Sequence, residues 1–155
     1  MLRDEISQAL TTAMKARKPR ETSTLRLILA AIKDRDIASR TGGAGGSIDG
    51  IGDDEVMKVL QTMIRQRKDS MQAYTQGGRP ELADQEAAEI EVIRRFLPAE
   101  MSDAELAAAV DGAVEQLGAT GLKDMGRTMA HLRETYAGRM DFSKASARLK
   151  QRLAS

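Results

Sequence analysis

Apolar positions recur along most of this chain at helical spacing, and nowhere do they alternate convincingly with period two. Leu2, Ile6, Ala9, Leu10, Ala13 and Met14 predict an opening helix over residues 2–17. Lys18-Pro19 ends it, because the residue before a proline is pushed out of the α region. Leu25, Ile28, Leu29 and Ile32 supply the i, i+3, i+4, i+7 stripe of a second helix, capped by Thr22 or Ser23 and running to about Arg40. Asp53-Asp54-Glu55 opens a long third helix with its acids at the positive end of the dipole. Val56, Leu60, Met63, Ile64, Met71 and Tyr74 form its inner stripe, and Gly77-Gly78 stops it. Pro80 fits the first turn of a fourth helix, which Leu82, Ala83, Ala87, Ile90, Ile93 and Leu97 carry to Pro98. Together the third and fourth predict an antiparallel hairpin over residues 53–97. Its acids, Glu81, Asp84, Glu86, Glu89 and Glu91, can face Arg65, Arg67 and Lys68 as exposed pairs that tune the pairing.

Beyond Pro98, Ser102-Asp103-Ala104-Glu105 reads as a capping box. It starts a helix striped by Leu106, Val110, Val114 and Leu117, and Gly118 is its stop. Between Gly118 and Gly138 the residues Leu122, Met125, Met129, Leu132 and Tyr136 share one face, while Lys123, Arg127 and His131 fall opposite. A last helix begins near Asp141 or Phe142, with Phe142, Ala145, Leu149 and Leu153 on its apolar side and Lys144, Arg148 and Arg152 on a flanking one. The expected fold is all-α: an N-terminal helical domain with a long antiparallel helix hairpin over residues 1–98, and a small C-terminal three-helix domain over residues 99–155.

Two stretches invite functional readings that the pattern discourages. TGGAGGSIDGIG, residues 41–52, resembles a phosphate-cradling loop only in its glycines. No strand precedes it and no Gly-Lys-Ser/Thr ends it, so a flexible linker or mobile loop is expected. The basic row Arg26, Lys33 and Arg40 recurs every seventh residue and is expected to be a solvated face.

Composition narrows the chemistry. With no cysteine, disulfides, thiolate catalysis and Cys-based zinc sites are excluded. His131 is the only histidine, so a histidine-built metal site is excluded as well, and a Ser-His-Asp triad would have to use this one residue. Its polar helix face suggests a solvated histidine or, failing that, an RNA or partner contact. No catalytic residue, cofactor or metal is expected. The start, MLRDEISQAL, lacks an apolar signal core, and no run approaches the length of a membrane span. A soluble, cytoplasmic protein without membrane contact is expected. Net charge is only +1 over 155 residues, yet residues 123–155 hold eight cations against Asp124, Glu134 and Asp141, about +5. Basic helix faces that reach a phosphate backbone together could bind RNA. Stacking aromatics are scarce, which favours contact with the backbone and shape of a folded RNA. The candidate nucleic-acid-binding residues are Lys123, Arg127, His131, Arg139, Lys144, Arg148 and Arg152.

The series STLRLILAAIKDRDIASR, DDEVMKVLQTMIRQRKDSMQAYTQGGRPELADQEAAEIEVIRRFLP and GATGLKDMGRTMAHL resembles the GatB/YqeY family, of the free-standing YqeY-like kind, over nearly the whole chain. The resemblance implies a C-terminal domain similar to the tail of the B subunit of the tRNA-dependent amidotransferase, where the tail contacts tRNA. Gly118, Lys123, Asp124, Met125, Gly126 and Met129 match the tail motif; Arg139 and Asp141 match the following GRADG pattern, whereas Met140 and Phe142 depart from it. The resemblance also brings the label of a carbon–nitrogen ligase with glutamine as amido donor. No glutaminase serine–lysine constellation or ATP/Mg site accompanies it, and the residues leave open whether the chain is an enzyme. The leading expectation is an accessory protein that binds tRNA or a tRNA-processing (aminoacylation or amidotransferase) assembly. The alternative is a protein-interaction module that docks a partner through the 53–97 hairpin.

Overall fold

Seven α-helices and one short 3-10 turn make up the residues that the computed structural model describes, 1–41 and 50–154, and no strand occurs among them. The fold is all-α. Most of the glycine-rich stretch, residues 42–49, lies outside the described residues. The chain divides into two units, Met1–Leu97 and Pro98–Ser155.

The first unit contains α1 (Leu2–Lys15), α2 (Pro19–Thr41), α3 (Asp53–Gln76) and α4 (Pro80–Arg94). Helix α2 starts at Pro19 rather than at a Thr22 or Ser23 cap. A proline in the first turn needs no partner for its missing N–H and brings a preset φ, so it outcompetes the later caps. Lys18 closes the corner instead, and Arg17 takes a left-handed φ of 55° to turn the chain. Ile6, Leu25, Ile28, Ile32, Val56, Leu60 and Ile93 are at most 2% exposed and form the core. In such a core an Ile or Leu truncated to Ala costs about 2–5 kcal/mol. The α3–α4 hairpin is antiparallel, and Arg67 Nε donates to Glu89 Oε2 across it at 2.8 Å. Only 13% of the Arg67 side chain is exposed, and it also donates to the Met63 carbonyl, so this pair lies deeper than the exposed pairs expected.

One set of interactions in this unit carries no local sequence signal. Arg3 holds Asp36 in a two-pronged ion pair, Nη1 to Oδ2 at 2.7 Å and Nη2 to Oδ1 at 2.8 Å. The Ile51 N–H donates to Asp36 Oδ1 at 2.9 Å, and Arg3 donates to the Ile51 carbonyl at 3.1 Å. These bonds tie α1 and α2 to the lead-in of α3. Gly50 has φ 90°, and a Cβ there would sit 2.6 Å from Asp36 Oδ1, so only glycine fits against the pair. The Arg3 hydrogen bond, helped by the Ile51 N–H and opposed by burial, lowers the Asp36 pKa from 3.8 to about 2.

The second unit contains α5 (Asp103–Leu117), a 3-10 turn (Leu122–Asp124), α6 (Met125–Thr135) and α7 (Phe142–Ala154). The capping box forms with both bonds: the Glu105 N–H donates to Ser102 Oγ at 3.1 Å, and the Ser102 N–H to Glu105 Oε1 at 3.2 Å. Gly118 ends α5 in the left-handed region. Val110, Leu132, Ala145 and Leu149 are fully buried, and Met140, which departs from the GRADG pattern, joins them at 2% exposed. Leu122 does not belong to the buried stripe of α6 and is 51% exposed. It lies in the 3-10 turn, whose three residues per turn break the register that a continuous helix would have kept.

Candidate nucleic-acid interface

The expected RNA surface is built from α6, α7 and the turns around them, and α5 determines its electrostatics. The lead-in to α5 and the helix itself carry Glu100, Asp103, Glu105, Asp111 and Glu115, which offset the +5 of residues 123–155, so the unit from Pro98 has no net charge. The acids and bases meet in pairs. Lys144 Nζ lies 3.4 Å from Asp103, and Arg148 Nη2 donates to Asp111 Oδ2 at 2.9 Å. Arg152 Nε is 3.5 Å from Asp111 Oδ1, so this one carboxylate gathers two arginines of α7. Arg139 approaches Glu105 at 3.8 Å and donates to the Ala99 carbonyl at 3.4 Å. The i, i+4, i+8 row of α7 therefore stacks along α5 instead of standing alone.

Lys123 and Arg127 are placed differently. Lys123 is exposed in the 3-10 turn and forms no ion pair among the described residues. Arg127, 54% exposed at its side chain, meets Asp124 alone among the described acids, at 3.2 Å and three residues away. Asp124 is occupied mainly with shaping the loop. Its Oδ2 accepts the Thr120 N–H at 2.9 Å and the Gly121 N–H at 3.4 Å. The Thr120 bond is the main reason its pKa lies below the usual carboxylate value, with the charges of Arg127 and Lys123 adding to it. Between the two cations sits Gly126, exposed in the first turn of α6, where an added Cβ would meet nothing within 4 Å. Glycine inside a helix costs about 0.5–1 kcal/mol relative to alanine, and nothing inside the fold requires it here.

His131 does not stand on an open basic face. It is half-buried and lines a concavity of about 410 Å³ with Thr135 of α6, Tyr136 just after it, and Ala108, Gly112 and Gln116 of α5. Spacing along α6 alone could not show this, because the facing wall comes from α5. Arg133, outside the expected set, lies over the Phe142 ring at 5.9 Å from its centroid. Among the described residues no group of three or more His, Asp or Glu side chains is placed to hold a metal ion. Among the described residues no helix is long and apolar enough to cross a membrane.

Two small helical bundles, the second opened by a capping box and carrying an exposed Lys–Gly–Arg corner, define an all-α protein. The chain belongs to the YqeY-like family, whose model, "Yqey-like protein", matches residues 3–153. It is similar to proteins named "Altered inheritance of mitochondria protein 41, mitochondrial". The one from Clavispora lusitaniae is 36% identical over 57% of this chain and 46% of its own length. The one from Meyerozyma guilliermondii is 35% identical over 59% of this chain and 44% of its own. An uncharacterized protein of Schizosaccharomyces pombe is 29% identical over 63% of this chain and 73% of its own. The matched region thus spans about half the length of the first two relatives.

Proposed function

We propose that this YqeY-like protein is an accessory factor that contacts the backbone of tRNA through the Lys123–Arg127 corner, within or beside tRNA-dependent amidation. The supporting observation is that these two exposed cations flank Gly126, a helix glycine the fold does not need and whose absent side chain lets a backbone approach. Lys123 and the glycine also match the amidotransferase tail motif, whereas Arg127 is placed by the fold alone. His131 lines the adjoining concavity and would meet the same ligand. Arg139, Lys144, Arg148 and Arg152 contribute less, because each already faces an acid of α5. No chemistry is assigned to the chain itself. We place the work in the cytoplasm; a tagged chain found in mitochondria, as the names of the fungal relatives would suggest, would move it there.

Titration of tRNA against the full chain tests this. The variant Lys123→Glu/Arg127→Glu is expected to weaken binding at least tenfold, from two lost phosphate contacts. Binding unchanged in that variant would remove the corner from the interface. Docking of a protein through the 53–97 hairpin is the weaker reading. None of the exposed large hydrophobics, Met1, Met14, Leu27, Ile37 and Leu122, lies in that segment.

A further inference from the structure

Helix α2 is apolar on two sides. Leu25, Ile28 and Ile32 point into the core, whereas Leu27 and Ile37, on the opposite side, are 46% and 49% exposed. Beside Leu27, the end of α1 leaves Met14 50% exposed. Met14, Leu27 and Ala30 form the apolar floor of an open groove of about 840 Å³ at the α1–α2 corner. Its charged rim is entirely basic, made of Arg17, Lys18 and Arg26. Among the described residues, Arg17 and Arg26 have no acid partner. Lys18 comes near Glu21, whose carboxylate is already hydrogen-bonded by Arg95 at 3.1 Å. Elsewhere in this unit Arg3, Arg35, Lys58, Arg67, Arg79 and Arg95 each pair with an acid, whereas Lys15, Arg20, Lys33, Arg65 and Lys68 form no ion pair among the described residues. What sets the rim apart is its place around exposed apolar side chains.

We infer that this groove is a docking site for an acidic amphipathic helix of a partner protein. Exposed Met and Leu side chains in a concave surface suit the apolar face of a helix, whose anchors recur at i, i+3, i+4 and i+7. From Ser23 to Ala30 the groove follows about 10 Å of α2, room for two turns of an incoming helix. Acids flanking those anchors would meet three cations that face one another's repulsion while the groove is empty. A second copy of this chain does not fit the charge, because a two-fold contact through the groove would set one basic rim against the other. Arg17 sharpens the inference. Its left-handed backbone, φ 55°, is one that glycine adopts more readily, so a residue strained in the fold also supplies a cation to the rim.

The test uses the full chain and two synthetic helical peptides of equal length, with identical Leu anchors and either Glu or Lys on the flanks. Isothermal titration is expected to show the Glu peptide binding at least tenfold tighter than the Lys peptide. Leu27→Glu and Arg17→Glu/Arg26→Glu should each reduce that affinity about tenfold or more. Arg17→Gly separates docking from folding: it should raise the melting temperature while weakening the peptide. Equal affinity for both peptides, or Glu-peptide binding indifferent to Leu27→Glu, overturns the inference. So does a dimer in solution that Leu27→Glu dissociates, which would give the face to a second copy. Binding of tRNA that needs Arg17 and Arg26 but ignores Leu27 would give it to nucleic acid and overturn the inference as well.

Discussion

The two units use charge in opposite ways. From Pro98 onward, cations and acids are equal in number, and the cations of α7 lie along the acids of α5, so a basic run in the sequence becomes a nearly neutral surface in the fold. Before Pro98, ion pairs are drawn into the structure at Arg3–Asp36 and Arg67–Glu89, while among the described residues Arg17 and Arg26 have no acid partner and stand with Lys18 around exposed apolar side chains. A cluster of like charge along a chain therefore says little about binding until the facing helix is known. Cations left without acids beside apolar surface say more.

The largest effect expected from breaking this contrast is at the buried pair. Asp36→Asn leaves the Arg3 charge without its counterion; removing one partner of a fully buried pair costs about 3–5 kcal/mol. With 29% of the Arg3 side chain exposed, about 2–3 kcal/mol is expected here, measured by urea unfolding. The same pair sets an acid limit. Because the folded pKa of Asp36 is depressed, its contribution is fully present above 3.8 and is lost as pH falls toward about 2. That shift corresponds to about 2 kcal/mol, and the decline over this window should be absent in Asp36→Asn. A smaller loss, about 1 kcal/mol, is expected for Ser102→Ala, which removes one half of the α5 capping box. The smallest effect on stability, at most about 1 kcal/mol, is expected for Asp111→Asn, since Arg148 and Arg152 are both more than a third exposed. That variant sharpens the contrast, because two arginines released from α5 should strengthen tRNA binding a few-fold at low salt. Unchanged affinity would mean that α7 lies outside the RNA contact.

Local signals in the sequence reported local structure well. Ser102, Glu105 and Gly118 mark the ends of α5 because capping is settled within a few residues. The stripes of α3 and α4 predicted a hairpin because short glycine turns bring neighbouring helices together. Pro19 misled the start of α2, since it can begin a helix as readily as it ends one. Leu122 was assigned to a buried face because a 3-10 turn is not visible in a pattern of apolar spacing. The Arg3–Asp36 clasp joins residues 33 apart, and Asp111 meets Arg148 at a separation of 37. Neither separation has a periodicity, so neither could be read in advance. The same limit hid the α5 wall beside His131. It also hid the groove at Leu27, because exposure depends on which of the two apolar sides of α2 the core takes.

The salt dependence of tRNA binding by the full chain tests the proposed interface most directly. Contact through Lys123 and Arg127 alone, with the α7 cations held by α5, gives a slope of log K against log salt of about −2, at roughly 0.9 per neutralised phosphate. A slope of about −5 would mean that Arg139, Lys144, Arg148 and Arg152 leave their acids and bind as well. A slope of zero would mean that no phosphate contact exists, and would contradict the proposed function.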